Sequence, residues 1–160
     1  MTRNYCKLIL SNILLLACFH SPLIAGQIEV TSPEDAGPGT LRQAIANAQS
    51  GDTLTFSPDA GRVILSSGHL FIDKNLVMLG NGREATILDG SGITRLLYIE
   101  AGVTVVITDL SVTNGYIEGT SGTADTPGNW GAGIYNAGTL RLAHCNIHDN
   151  YNFSADVETF

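Results

Sequence analysis

The sequence predicts an all-β protein built from stacked, repeated strands, and two observations support this prediction. First, residues 105–115 and 140–150 align at a constant offset of 35, with apolar residues in matching places. Second, apolar and polar residues alternate in both copies, which is the pattern of strands with one buried face. A strand unit repeated at fixed spacing is typical of a solenoid. The matched apolar pairs are Val105 and Leu140, Ile107 and Leu142, Leu110 and Cys145, and Val112 and Ile147.

A polar segment rich in Gly, Thr and Asp, residues 117–130, separates the two copies. Because it interrupts the alternation, we interpret it as a loop inserted into the repeat. Without its roughly 13 residues, one repeat would be about 22 residues long, which is within the range of known solenoids. Solenoids usually bind their partners on an outer face or through such loops, so the loop is a candidate for function.

The chain before the repeats predicts one strand and one short helix. Residues 27–32 alternate as a strand does, whereas residues 40–50 carry apolar positions on one helical face. Thr40 and Gln43 have the spacing of a capping box, and Gly51 supplies a stop signal. The open end of a stack exposes unpaired backbone, so we expect this helix to cap it. The apolar helical positions are Leu41, Ala44, Ile45 and Ala48.

Short aliphatic and β-branched runs follow, separated by Gly, Asn and Ser, and each has the length of a short strand. No helical pattern lies between them, which argues against alternating strand–helix units. The predicted strands are residues 53–56, 63–65, 70–72, 76–79, 85–88, 96–99, 103–107 and 110–113. Three asparagines at the ends of runs predict a stacked ladder in the turns, namely Asn75, Asn114 and Asn150.

The first 26 residues have the layout of a secretory signal peptide. Arg3 and Lys7 precede an apolar stretch that is shorter than the about 20 residues needed by a membrane-spanning helix. Small residues follow, and cleavage after Ala25 or Gly26 would release the mature chain. We therefore expect an exported product, located outside the cell or on an outer-membrane surface.

A second interpretation of this segment stays open. The sequence Leu-Leu-Ala-Cys at residues 15–18 resembles a bacterial lipoprotein box, which would place a lipid on Cys18. Membrane attachment would then depend on lipidated Cys18, or on a C-terminal region that the sequence does not include.

The composition sets limits on the partners. The chain has 8 Lys and Arg against 15 Asp and Glu, a formal net charge of −7, and no basic cluster. Nucleic acid is therefore not an expected partner, because phosphate contacts need clustered Lys or Arg. An acidic surface suits solubility and weak attraction for divalent cations such as calcium. After cleavage only Cys145 would remain, and its place opposite Leu110 predicts a buried apolar side chain.

Two motifs give the sequence a family resemblance. Residues 39–45, Gly-Thr-Leu-Arg-Gln-Ala-Ile, and 50–56, Ser-Gly-Asp-Thr-Leu-Thr-Phe, resemble the N-terminal signature of exported bacterial right-handed parallel β-helix proteins. That signature has a Cys-Ser-Leu-Arg-Glu-Ala-Ile type opening, so Gly39, Thr40 and Gln43 replace its Cys, Ser and Glu. The Gly-Ala-Gly-Ile stretch at 131–134 is similar to the Gly-Gly-Ala-Ile repeats of polymorphic outer-membrane proteins, although the order differs.

The resemblance, which covers roughly residues 28–150, implies a pectate-lyase-like right-handed parallel β-helix and a secreted or surface-attached product without a defined catalytic activity. A right-handed sense also follows the general rule for parallel crossovers. We expect a signal peptide at 1–26, then a cap strand and helix with the first turn of the coil at 27–56. The remaining turns, with the loop 117–130, would occupy 57–160. Residues 151–160 offer neither a helix nor a polar closing repeat, so we expect the stack to be truncated at its C-terminal end.

Acidic and histidine side chains are the first candidates for chemistry. His144 and His148 would lie about 13 Å apart on a strand, which is too far for one zinc ion. No calcium-type glycine-aspartate repeat occurs, and no acid pair with a neighbouring base stands out. We therefore assign no catalytic residue, metal ligand or cofactor, with calcium as a weak alternative. The aspartates considered as calcium ligands or glycosidase carboxylates are Asp89, Asp109, Asp125 and Asp149.

Aromatic side chains beside the inserted loop are the candidates for ligand contact. Tyr116 and Trp130 flank the loop, Asp125 lies within it, and Tyr135 follows it. Aromatic rings next to an acidic Gly/Thr loop could stack on sugars. The alternative is that these rings anchor the loop to the strands.

Together these features predict a non-enzymatic, secreted or cell-surface β-helix scaffold, an adhesin-like passenger that displays loops. Surface glycans and host or cell-surface proteins are the expected partners. The alternative is the N-terminal part of a carbohydrate-active polysaccharide lyase or glycoside hydrolase, with its catalytic turns beyond residue 160.

Overall fold

The computed structural model describes residues 25–119 and 130–154, in which the chain is mostly β-strand with few helical residues. The helix α1 spans Leu41–Asn47, and a short 3-10 turn spans Pro58–Ala60. The strands are β1 Gln27–Val30, β2 Thr53–Phe56, β3 Arg62–Ile64, β4 Leu70–Ile72, β5 Leu76–Leu79, β6 Ile87–Asp89, β7 Leu97–Ile99, β8 Thr104–Thr108, β9 Ser111–Thr113, β10 Tyr116–Gly119, β11 Ile134–Asn136, β12 Thr139–Ala143, β13 Asn146–His148 and β14 Tyr151–Ser154.

The strands form parallel sheets. Their orders are β1-β2-β5-β8-β12, β3-β6-β9-β13 and β4-β7-β11, and β10 pairs with β14. From β2 onward the chain visits the three larger sheets in the same cyclic order, with β10 as the one interruption before β11. Every pairing between described strands is parallel.

The strand register agrees with the alignment of residues 105–115 with residues 140–150. Val105 pairs with Leu140 and Ile107 with Leu142 between β8 and β12. Val112 pairs with Ile147 between β9 and β13. The alignment at an offset of 35 therefore describes neighbouring strands of the same sheet.

The core consists of aliphatic side chains from successive strands that lie directly above one another. Leu54, Met78 and Ile107 are partners in consecutive strands, and all three are fully buried. Removing a side chain of this size from water contributes about 1.5–3 kcal/mol. The alternation of buried and outward residues along each short strand therefore produces one continuous core.

The prediction that Leu142 and Ile147 are buried is wrong. Their exposed fractions are 46% and 41%, although their partners Ile107 and Val112 are fully buried. The reason is that no strand in the described ranges pairs with the far edge of β12 or β13. Cys145 is only half-buried, packs against the core, and its Sγ lies 3.4 Å from the carbonyl oxygen of Ile107.

The predicted helix is present but shorter than residues 40–50. The side chain of Thr40 accepts a hydrogen bond from the Gln43 amide, as predicted. Gln43 accepts from the amide of Gly39 at 3.2 Å, one residue before the position expected in a capping box. The helix ends at Asn47 because the following backbone is extended and the carboxylate of Asp52 accepts the Gln49 amide at 2.8 Å.

The predicted asparagine ladder is wrong. Asn75 precedes β5, whereas Asn114 and Asn150 follow β9 and β13, so the three residues do not share one turn. Asn114 donates to the carboxylate of Asp89 at 3.0 Å. Asn150 accepts from the Gly115 amide at 2.8 Å. Each of these two amides therefore joins neighbouring strands through a different partner.

The boundary of the predicted loop also changes. Residues 117–119 belong to β10, which pairs in parallel with β14, a strand that the sequence analysis did not predict. The β14 backbone supplies hydrogen-bond partners that are far away in sequence, so local composition did not reveal this pair. Residues 120–129 and most of the predicted signal peptide lie outside the described residues. Within the described ranges, no helix is both long and apolar enough to cross a membrane.

Candidate functional site

Three aromatic residues occupy the central, outward position of consecutive strands in the β4-β7-β11 sheet. Phe71 of β4 pairs with Tyr98 of β7, and Tyr98 pairs with Tyr135 of β11. The residues on either side of Phe71 and Tyr98 are buried, so the alternation directs these rings away from the core. We call Phe71, Tyr98 and Tyr135 the aromatic ladder.

The rings of the aromatic ladder are in contact. The ring centroids of Phe71 and Tyr98 are 5.3 Å apart, and those of Tyr98 and Tyr135 are 4.8 Å apart. The planes are tilted by 44° and 42°, a geometry that aromatic pairs favour over a parallel sandwich. Phe71, at one end, exposes 47% of its surface. The ladder is therefore a stabilising cross-strand stack that is exposed at Phe71 and half-buried at Tyr98 and Tyr135.

Arg95 joins the aromatic ladder to the chain that follows the inserted loop. Its guanidinium carbon lies 5.3 Å from the Tyr135 ring centroid and 5.8 Å from that of Tyr98. It donates to the carbonyl oxygens of Trp130 at 2.7 Å and Gly131 at 3.1 Å. Burial lowers the pKa of Arg95, against smaller opposing contributions from Tyr98 and Tyr135. This nearly buried cation therefore positions residues 130–131 beside the ladder.

His69 also contacts the central ring of the aromatic ladder. Its imidazole stacks on Tyr98 with centroids 5.5 Å apart and an angle of 26°. Burial, and then the positive charges of Arg95 and Arg42, lower the pKa of His69 below its ordinary value. The imidazole is therefore neutral at pH 7, which suits an aromatic contact.

Two open clefts, each with a volume of about 350–360 Å³, border this surface. His69 lines both. The first cleft lies between α1 and β4, and the second between residues 93–95 and β10. In the second cleft, the hydroxyl group of Tyr116 donates a hydrogen bond to the carboxylate of Glu118 at 3.4 Å. Local desolvation, and then Glu118, raise the pKa of Tyr116, so its hydroxyl remains a hydrogen-bond donor at neutral pH.

Three of the four residues predicted to contact a ligand lie around Arg95. Tyr135 is part of the aromatic ladder, Tyr116 lines the same cleft as Arg95, and the Trp130 carbonyl accepts from Arg95. The Trp130 side chain is 44% exposed. The backbone at Trp130 is anchored by Arg95, and ligand contact by these residues stays a prediction. Asp125 lies outside the described residues.

The sequence analysis did not select Phe71, Tyr98, His69 or Arg95. A signal for the ladder does exist, because Leu-Phe-Ile, Leu-Tyr-Ile and Ile-Tyr-Asn each carry an aromatic residue at the centre of a short strand. The turns between these strands differ in length, so the three triplets do not recur at one offset. Their alignment became visible only through the strand register.

The acidic candidates do not form one site. Asp89 is bonded to Arg62 and Asn114. Asp109 lies 3.3 Å from the imidazole of His144, and Asp149 lies 2.8 Å from that of His148. Asp125 lies outside the described residues. Burial acts to raise the pKa of Asp89, but hydrogen bonds from Ser91, Asn114 and Arg62 outweigh it and lower the pKa. Asp89 is therefore a structural carboxylate and not a proton donor. In the part of the chain that the structure describes, no three His, Cys, Asp or Glu side chains group as a metal site.

Comparison of the chain with known protein families, curated proteins and solved structures finds no match.

Proposed function

We propose that this chain is an exported, non-enzymatic, right-handed parallel β-helix scaffold that binds neutral glycans along the aromatic ladder. Its adhesin-like character rests on the sequence resemblance. The single observation that carries the binding proposal is the outward stack of Phe71, Tyr98 and Tyr135 in direct register.

The β-helix part of the proposal rests on the path of the chain. Three parallel sheets visited in constant cyclic order are what a coil of strands produces, one sheet for each face. Parallel crossovers are right-handed in nearly all proteins, which supports the right-handed sense. The helix α1 contacts β1 and β4, and Leu41 on its apolar face is fully buried. It would protect the first turn from edge pairing.

The glycan part rests on the shape and chemistry of the surface. Strands of one sheet lie about 4.8 Å apart, so three aromatic positions form a strip roughly 10 Å long. Aromatic rings offer an apolar contact to the C–H face of a sugar, while polar groups at the edges satisfy its hydroxyls. Here the Tyr116 hydroxyl, the Glu118 carboxylate and the His69 imidazole border the strip through the second cleft.

Charge favours neutral over acidic glycans. The chain carries a net charge of −7, and the cation nearest the ladder, Arg95, already donates to two backbone carbonyls. A polyanionic sugar would meet long-range repulsion, whereas a neutral one would not. Host or cell-surface proteins are the alternative partners.

The second cleft favours binding over hydrolysis. Glycoside hydrolysis uses two carboxyl groups on opposite sides of the scissile bond. Among the described residues that line this cleft, Glu118 is the one carboxylate. The site therefore has the hydrogen-bonding groups for a sugar but lacks an acid and base pair within these residues.

Affinity electrophoresis in native gels cast with xylan, mannan, β-glucan or polygalacturonate tests this proposal. We expect at least one neutral polysaccharide to retard the protein, and polygalacturonate not to. The variants Tyr135→Leu and Phe71→Leu keep apolar bulk but remove an aromatic face, so each should weaken retardation about three- to tenfold. The matched control is Tyr151→Leu, an exposed tyrosine of β14 outside the ladder.

Thermal unfolding of each variant separates loss of binding from loss of structure. The fluorescence of Trp130, the single tryptophan, reports whether the segment bonded to Arg95 stays in place. The proposal fails if none of the neutral polymers retards the wild type, or if folded Tyr135→Leu and Phe71→Leu bind as strongly as Tyr151→Leu. Retardation by polygalacturonate alone contradicts the preference for neutral sugars.

A further inference from the structure

The amide nitrogen of Gly26, at the start of the described chain, lies 2.6 Å from the Oδ1 atom of Asp52. The other carboxylate oxygen of Asp52 accepts the Gln49 amide at 2.8 Å. Asp52 exposes only 7% of its surface. Its carboxylate therefore holds the beginning of β1 and the end of the helical segment together.

Asp52 has no cationic partner among the described residues, since none of their ion pairs includes it. A carboxylate with little access to water is favoured by an opposite charge as well as by hydrogen-bond donors. The Gly26 nitrogen is well placed to supply such a charge if it becomes a free amine. Ala25 and Gly26 are both exposed, so cleavage between them would leave no other new charged group in the interior.

We propose that the mature chain begins at Gly26, and that its new α-ammonium group forms an ion pair with the Asp52 carboxylate. The proposal rests on the export part of the proposed function and is independent of glycan binding. The reaction is hydrolysis by a signal peptidase. Water adds to the Ala25 carbonyl carbon, the Ala25–Gly26 C–N bond breaks, and Ala25 ends as a carboxylate. The Gly26 nitrogen keeps its own proton and takes both protons of the water, so it becomes an ammonium group.

The geometry favours cleavage before Gly26 over cleavage after it. Removing Gly26 would cost Asp52 its closest donor and would also remove the Gly26 carbonyl that accepts from Thr53 at 2.8 Å. A glycine also fits the space, because a Cβ at this position would lie 3.1 Å from the Asp52 Oδ1 atom. The pair would therefore hold β1 against β2 from the first residue of the mature protein.

Mass spectrometry of the N-terminal peptide of the exported protein is the first test. We expect a free amine on Gly26. A terminus at Gln27, a lipid-modified Cys18 or an intact Met1 would each overturn the proposal. An intact Met1 would also remove the export part of the proposed function, whereas a Gly26 terminus without glycan binding would leave the present proposal standing.

A second test measures the ion pair. Two proteins are released from an N-terminal tag, one beginning at Gly26 and the other at Ala25, and each is made with and without Asp52→Asn. In the longer protein, the Gly26 nitrogen remains a neutral amide. We expect Asp52→Asn to lower the folding equilibrium constant about threefold more in the chain beginning at Gly26, measured by urea unfolding at pH 7.

This difference should disappear near pH 10, where an α-amine with an ordinary pKa of about 7.7–8.0 has lost its proton. Equal effects of Asp52→Asn in the two chains at pH 7 would overturn the ion pair. If Asp52→Asn does not fold, the two wild-type chains still decide the question. The chain beginning at Gly26 should then lose more stability between pH 7 and 10 than the chain beginning at Ala25.

Discussion

The side-chain oxygen of Asn150 accepts a hydrogen bond from the amide of Gly115 at 2.8 Å, and the two residues are 35 positions apart, the same offset as the paired residues of β9 and β13. The Asn150 side chain also donates to the carbonyls of Val112 and His148. The side-chain amide of Asn150 thus bonds to backbone groups of β9 and β13, near the C-terminal ends of these two neighbouring strands. This close approach leaves no room for a side chain at position 115.

Gly115→Ala should destabilise the protein by about 1–3 kcal/mol. A Cβ here would lie 2.6 Å from the Asn150 Oδ1 atom and would overlap the carbonyl oxygen of Ala132. The matched control is Gly119→Ala in β10, where a Cβ would meet nothing within 4 Å. Denaturant unfolding of the two variants measures the difference, and equal midpoints would show that the turn can relax around a methyl group.

Ile107→Ala and Leu142→Ala test the difference in burial between two residues that pair across β8 and β12. Ile107 is fully buried, and its truncation should cost about 2–5 kcal/mol by loss of transfer energy and by cavity formation. Leu142 is 46% exposed, so its truncation should cost less than about 1 kcal/mol. Urea unfolding at pH 7 compares them. A large loss for Leu142→Ala would mean that another surface covers this edge in solution.

Asp35→Asn should destabilise the protein at neutral pH by about 1–2 kcal/mol. Asp35 bonds to Arg42 of α1, and it also accepts from Ser66 and Ser67 before β4. Burial acts to raise the pKa of Asp35, but the hydrogen bonds from Ser67, Arg42 and Ser66 outweigh it and hold the pKa well below its ordinary value of 3.8.

The sign of the pH effect follows from that lowered pKa. The folded state holds the Asp35 carboxylate ionised at pH values where the unfolded chain takes up a proton. The stabilisation is therefore complete well above pH 3.8 and is lost as the pH falls below it. The gap in stability between wild type and Asp35→Asn should narrow from pH 6 to pH 3. The exposed Asp73 provides the control, since Asp73→Asn should show little effect at either pH.

The sequence was sufficient for much of the fold because the signals are local. Alternation with a period of two identifies a short strand from a few residues, and the offset of 35 between residues 105–115 and 140–150 predicted the true register. The cap of α1 was also predictable, because Thr40 and Gln43 act within one turn of backbone.

Burial at the last strands was not predictable in the same way. The alternation places Leu142 and Ile147 on the core side, but whether a core-side residue is covered depends on a further strand across the edge. The pair β10 and β14 was missed for a related reason, since its hydrogen bonds join residues far apart in sequence.

Thus the sequence by itself determined the strand character, the register of residues 105–115 against residues 140–150 and the position of α1, through short-range periodicity and N-capping. Only the tertiary structure decided which outward residues become neighbours. Phe71, Tyr98 and Tyr135 are separated by turns of unequal length, and they meet because parallel pairing brings the centres of their strands together. Arg95 became part of the candidate site for the same physical reason, since its partners Trp130 and Gly131 lie beyond the inserted segment and reach it only in the folded chain.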